Sequence, residues 1–171
     1  MRTQIAIDPD LDKNGVAVWR GDQLEVKSLS FPALLDFLQE NSDAHVVVEA
    51  GWLNKKSNVH GYRGAVAERI SKSVGINHGV GLLIVQMCKH YKISVSEKKP
   101  LRKVWEGRNG KITQGEIEYF IDGFPKRSNQ EERDAALILW LHLGRRVKIK
   151  PKTTSKLNQN AFNSGKNIKR R

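Results

Sequence analysis

One cysteine, Cys88, in 171 residues excludes an intramolecular disulfide and any multi-cysteine metal site. No apolar run approaches the ~18 residues of a membrane span, and no signal-peptide pattern opens the chain; neither membrane nor secretion is indicated, and a cytoplasmic setting is expected. There is no His/Cys cluster to suit zinc and no internal repeat. Acidic residues are missing from Arg145 to Arg171, where ten Lys and Arg stand unopposed. The net charge of +12 therefore comes mostly from this end, because residues 1–144 hold twenty basic against eighteen acidic side chains. The length and an apolar content of 39% suit one globular domain over 1–144, followed by a basic tail over 145–171. That tail is polar and aperiodic and is expected to be disordered; its charge suits a sequence-independent grip on phosphates, or simple solubility.

Apolar patterning predicts strands at Gln4–Asp8, Gly15–Arg20 and Leu24–Leu29. Asn14-Gly15 is a hairpin signal. Ser30 can cap a short helix with Phe31, Leu34, Leu35 and Leu38 on one face, and His45–Glu49 reads as a strand covered on both sides. A long basic loop or broken helix is expected from Gly51 to Lys72, a helix from about Ile76 to Tyr91, and a fifth strand over Lys92–Ser96. Thr113 and Glu116 form a capping box opening a helix to Ile121, and a final helix runs from Glu131 to Leu143. Three meandering strands followed by alternating helices and strands imply an α/β sheet of mixed direction.

Four carboxylates stand out. Asp8 and Glu49 end apolar strands, and Glu131 and Asp134 lie one turn apart on the same side of an apolar helix. Two have bland explanations, Asp8 as a turn acid before Pro9 and Glu131 as the partner of Ser128 in a capping box; Glu49, after three valines and before Ala50-Gly51, and Asp134, one turn further along its helix, are harder to dismiss. An acid at the end of a buried strand is costly without a cation, and four such acids suggest a divalent metal. The chemistry is phosphodiester hydrolysis by two Mg²⁺ ions roughly 3.5–4 Å apart, one activating water and the other stabilising the leaving oxygen. Mg²⁺ takes oxygen ligands and keeps several waters, so few carboxylates suffice. The run Asp10-Leu-Asp12-Lys-Asn14-Gly15 resembles a calcium loop, but its twelfth position is Gly21 and its flanks are strands, so it is a polar turn. Asp10 can still lie beside the metal ligands.

These motifs resemble the RuvC family of Holliday-junction resolvases, within the ribonuclease H-like superfamily, over about Gln4 to Leu143. The likeness is carried by Ile7-Asp8-Pro9 with Gly15, by the strand acid Glu49, and by Glu131-Glu-Arg-Asp134-Ala135-Ala136-Leu137. It implies a ribonuclease H-like mixed five-stranded sheet flanked by helices, a homodimer, and Asp8, Glu49, Glu131 and Asp134 as ligands of two Mg²⁺, with Mn²⁺ as a substitute. It also places Trp52 at a base-contacting aromatic position and Lys103 at a catalytic lysine. A second family lysine falls at Gln114, a departure that Lys111 or Arg108 would have to make good, and Asp10 replaces the usual glycine. The basic stretch is longer than its counterpart, and Lys55, Lys56, Arg63 and Lys72, with Lys103, Arg108 and Lys111, are expected to bind nucleic acid. Small size and a basic tail suit a phage-type member. The implied activity is Mg²⁺-dependent symmetric nicking of four-way DNA junctions. The alternatives are a ribonuclease H-like nuclease acting on other branched DNA or RNA-containing substrates, and a non-catalytic nucleic-acid-binding domain.

Overall fold

A computed structural model describes residues 2–54 and 63–148. Lys55, Lys56 and most of the basic tail lie outside the described residues. The elements are β1 (Gln4–Asp8), β2 (Asn14–Arg20), β3 (Gln23–Leu29), α1 (Phe31–Glu40), β4 (His45–Glu49), α2 (Gly64–His90), β5 (Ser94–Lys98), α3 (Gln114–Phe120) and α4 (Gln130–His142). They form one five-stranded sheet in the order β3-β2-β1-β4-β5, with β1–β2 and β2–β3 antiparallel and β1–β4 and β4–β5 parallel. The mixed α/β sheet flanked by helices is as expected.

Strand alternation assigns the two faces. Ile5, Ile7, Val16, Val18, Val46 and Val48 pack with Leu34 and Leu38 of α1 and Ile84 of α2. On the other face Ala6, Ala17 and Val47 meet Ala135, Ala136, Ile138 and Leu139 of α4, with Ile117 and Phe120 of α3 beside them. The small residues let α4 lie close to the centre of the sheet. Gly15 takes this to its limit, since a Cβ there would overlap the backbone of Glu131. Because β1 and β4 run parallel in register from Gln4↔His45 to Ile7↔Val48, Asp8 and Glu49 emerge side by side at the carboxyl edge, where α/β sheets place their ligands.

Four local expectations need correction. Helix α2 begins at Gly64 and runs for 27 residues, rather than starting near Ile76 after a loop to Lys72. Its first turns are largely exposed, so no apolar stripe announces them. Strand β5 is Ser94–Lys98, not Lys92–Ser96, because Lys92 adopts a positive φ of 58° and turns the chain first. Asn14-Gly15 lies inside β2, Gly15 pairing with Asp8, while residues 9–13 make the turn. Buried Asn14 instead organises that turn, its Oδ1 accepting Asp10 N–H at 3.2 Å and its Nδ2 donating to the Leu29 carbonyl at 3.3 Å. Finally, Asn129 rather than Ser128 caps α4, and its partner is Glu132. Ser30 does stand at the N-cap of α1 but makes no side-chain cap bond; Pro32 in the first turn favours the start instead.

The far pole of the sheet is closed by aromatic contacts. The Arg145 guanidinium lies 4.2 Å from the Trp19 ring centroid and 4.8 Å from that of Trp140. Trp19 pairs with Gln4, at the opposite end of β1 from Asp8, so the chain leaves α4 at the pole away from the carboxylates. There too His142 stacks on His45 at 5.4 Å, and the His45 ring nitrogens meet the hydroxyls of Ser94 and Ser96. Burial, then Arg2, lowers the His45 pKa from 6.5; burial, then His45 and Lys98, lowers that of His142. The unfolded chain thus binds more protons here, so this stabilisation is present above about pH 6.5 and is lost as pH falls through the folded values. The wild-type urea midpoint, measured against that of His142→Asn, should fall between pH 7.5 and 5.5. An identical pH response in the variant would remove the pair from the account.

Candidate metal centre

A cavity of about 280 Å³ opens at the carboxyl edge of the sheet, and Asp8, Glu49, Glu131 and Asp134 all line it. Three elements bring them there: β1 and β4 through their parallel register, and α4 through its close approach at Gly15. Capping frees Glu131 for this position. Glu132 N–H donates to Asn129 Oδ1 at 2.9 Å, Asn129 N–H donates to Glu132 Oε2 at 3.0 Å, and Ser28 donates to the other Glu132 oxygen at 3.3 Å. The reciprocal cap that could have explained Glu131 away is made by its neighbour.

Burial above all, then Glu49 and Asp134, holds the Asp8 carboxyl well above its ordinary range, with Lys111 opposing and Glu131 adding to the rise. Burial also raises Glu49, against a hydrogen bond from Leu101 N–H at 3.4 Å; Asp134 adds to the rise and Lys103 opposes it. The four acids therefore feel one another across the cavity. They do not close into a cage: among the described residues no three His, Cys, Asp or Glu side chains are grouped closely enough to hold an ion. The donor set is all oxygen, which fits a hard divalent ion such as Mg²⁺ and not a soft one.

Both oxygens of Asp134 are occupied. Gln130 Nε2 donates to Oδ1 at 2.8 Å, and Lys111 Nζ lies 3.2 Å from Oδ2. Burial alone would lower the Lys111 pKa, but Asp134, Asp8 and Glu131 outweigh it and raise it. Lys111 thus reaches into the cavity and pairs with Asp134. Gln114 is committed elsewhere, donating to Glu118 and to the Pro125 carbonyl, both at 2.7 Å, and accepting from Ser128 at 2.6 Å. The loop bearing Lys103 and Lys111 is pinned by buried Glu116, whose oxygens accept Glu106 N–H at 3.0 Å and Thr113 N–H at 2.9 Å.

Lys103 and Trp52 also line the cavity, whereas Arg63, Lys72 and Arg108 are exposed and do not. Lys55 and Lys56 lie outside the described residues. Trp52 is half-buried, its Nε1 donating to Glu97 at 2.9 Å and its ring edge-on to His78 at 6.2 Å. Sequence reasoning missed Asn77 and His78, which enter the cavity from α2. Asn77 donates to Asp10 at 3.1 Å, tying α2 to the turn after Asp8. They fall within the helix expected from Ile76, but no sequence signal marks them, because which side of that helix meets the cavity is set by its packing on the sheet.

No protein-family model matches the sequence, and no curated protein matches it. Solved structures do. Thermus thermophilus RuvC in complex with a Holliday junction substrate superposes with a TM-score of 0.51 at 14% identity, covering 84% of this chain and 97% of that one. A second Thermus thermophilus RuvC structure gives 0.45 at 16% identity, covering 83% and 96%. YeaZ from Pseudomonas aeruginosa gives 0.37 at 15% identity, covering 61% and 46%. Only the first of these superposes closely enough to argue from, and at such identity it speaks for the fold alone. With strand order, parallel register and helix placement already in view, the chain has a RuvC-like fold.

Proposed function

We propose that this chain is a metal-dependent, structure-selective endodeoxyribonuclease that nicks four-way DNA junctions. The single observation that carries this is the meeting of Asp8, Glu49, Glu131 and Asp134 around one cavity from three separate elements, with Lys111 as the counter-charge to Asp134. These four would hold two Mg²⁺, or Mn²⁺ in substitution, which when bound activate water and stabilise the leaving oxygen. The remaining work falls to the chain. Gln130 fixes the Asp134 carboxylate, Leu101 N–H orients Glu49, and the pinned loop presents Lys103 and Lys111 to the phosphate. Exposed Arg63, Lys72 and Arg108 extend a phosphate-binding surface whose contacts position DNA without reading sequence, and the charges of Lys55, Lys56 and the basic tail over 145–171 add to the attraction for phosphates.

A homodimer follows from the task, since two symmetric nicks need two identical sites. Helix α2 offers the face for it, with Leu82 and Leu83 exposed and open space at Gly75 and Gly79. A cytoplasmic setting with DNA suits this activity, and no described helix is long and apolar enough to cross a membrane.

The test is cleavage of a labelled immobile four-way junction beside linear duplex, Y-fork and RNA–DNA hybrid, with Mg²⁺ or EDTA, by wild type and Asp134→Asn. Paired nicks in opposite arms that require Mg²⁺ and vanish in the variant, while gel-shift binding persists, are expected. Equal cutting of hybrid or fork would mark a broader ribonuclease H-like nuclease. Binding without cutting anywhere would mark a non-catalytic domain.

A further inference from the structure

The two walls of the cavity differ in chemistry. The loop wall is cationic, with Arg102, Lys103 and Lys111; the opposite wall has no Lys or Arg and carries Asn77, His78 and the indole of Trp52, with Asp10 bonded to Asn77. A nucleic-acid strand is asymmetric in the same sense, since its phosphates are anionic and its bases are neutral, flat and rich in donors and acceptors. A strand whose scissile phosphate lies against the carboxylates and lysines therefore turns its adjacent base toward α2.

On that wall His78 is the residue best placed to read a base. Asn77 spends its amide on Asp10 at 3.1 Å. His78 makes no hydrogen bond through either ring nitrogen to any described residue, yet its ring is held firmly. It meets Trp52 edge-on at 78°, and a Cβ on Gly51 would overlap the imidazole, so the turn after Glu49 packs directly on it. Trp52 is itself fixed, by its bond to Glu97 and by Gly81, where a Cβ would overlap the indole. An aromatic platform next to a rigid imidazole suits an unstacked base: the indole offers stacking, and, since Gly51 packs on the Nε2 side of the ring, Nδ1 is the ring nitrogen left to meet the base edge.

Building on the nuclease reading above, we infer that His78 is a specificity-determining residue, contacting the base next to the scissile phosphate while Trp52 supports that base. Stacking tolerates any base, so Trp52 supplies occupancy; the imidazole distinguishes one base edge from another. The cationic loop sets affinity independently of sequence.

The experiment uses the full chain and a set of immobile four-way junctions differing only in the nucleotides at the branch point. Cutting is measured in Mg²⁺, and binding is measured in EDTA by fluorescence anisotropy over a range of salt. Wild type is compared with His78→Ala, His78→Asn and Lys103→Ala. In His78→Ala the spread in cutting rate between the best and worst junction should collapse by roughly tenfold, with the salt slope of binding unchanged. His78→Asn, which keeps a donor and an acceptor, should retain a spread but reorder the junctions. Lys103→Ala should weaken binding to all junctions alike and reduce the salt slope. A His78→Ala protein with wild-type sequence ranking overturns the assignment, as does a uniform fall across all junctions accompanied by a lowered Tm. If wild type binds but cuts nothing, the catalytic reading fails, and the sequence ranking of binding in EDTA still decides on His78. If wild type neither cuts nor binds, both fail.

Discussion

Gly15→Ala should cost about 3 kcal/mol of stability, the upper part of the range for overpacking, and should reduce junction cleavage by roughly 10²-fold in the molecules that remain folded. Gly15 is ordinary strand backbone and pairs with Asp8, so the demand for glycine is not conformational. It is spatial: an added Cβ would overlap the carbonyl, carbonyl carbon and Cα of Glu131, all backbone atoms that cannot rotate away. Either the sheet or the first turn of α4 must retreat, and both carry candidate ligands. A shift near 1 Å is enough for the kinetic loss. Urea denaturation gives the first quantity, and single-turnover cutting, corrected for the folded fraction, gives the second. Wild-type cutting in the alanine variant would show that the approach of α4 to β2 does not set the position of Glu131.

Asp8→Asn should reduce cleavage by about 10³-fold and at the same time make the metal-free protein more stable. The first part follows because metal stabilisation of transition-state charge is worth several kcal/mol, at about 1.4 kcal/mol per factor of ten. The second follows from burial and from Glu49, Asp134 and Glu131, which all disfavour the ionised form of Asp8 in the fold. With its folded pKa raised above the unfolded value of about 3.8, this carboxyl favours the native state when protonated, and that contribution is lost as pH rises through and beyond the ordinary carboxyl range. At pH 7.5 without metal, wild type bears the cost of burying an acid whose charged form the fold disfavours, which asparagine removes while nearly keeping its shape. The Tm of the variant in EDTA should therefore exceed that of wild type by a few degrees, each kcal/mol being worth about 2–4 °C for a domain of this size. Mg²⁺ should raise the wild-type Tm and close most of that gap. A lower Tm for the variant in EDTA would mean that Asp8 is already compensated, leaving no electrostatic demand for a metal.

The legible parts of this chain were those in which local chemistry and tertiary role coincide. Ile5, Ala6 and Ile7 and the three valines of β4 are apolar because both faces of those strands are covered, and the acids ending them needed no partner to be noticed. Thr113 and Glu116 mark a helix start that the structure keeps, with Glu116 also holding the basic loop. Reading failed where the reason for a residue lies elsewhere in the fold. Asn14-Gly15 has the composition of a turn, but asparagine is there to bond the real turn and glycine is there to admit α4. Ser128 and Asn129 are equally good caps on paper; Ser128 is drawn off to Gln114, and Asn129 takes the helix. The polar strand β5 has its register set by pairing with β4, from His45↔Ser94 onward, and its own side chains announce little. His78 falls in the expected part of α2, but its role is invisible without the turn after β4 against which it packs.

The staple of Arg145 between Trp19 and Trp140 has a consequence for how such a chain can change over generations. It fixes where the backbone departs, about 13 Å of strand away from the end of β1 that bears Asp8. That departure point lies at the quiet end of the molecule. Residues there can be added, deleted or recharged without strain reaching the reactive end, so the strength with which polyanions are gathered and the chemistry done on them are separately heritable traits. A lineage could retune the first within a few substitutions while the second stays frozen by the tightness of one glycine.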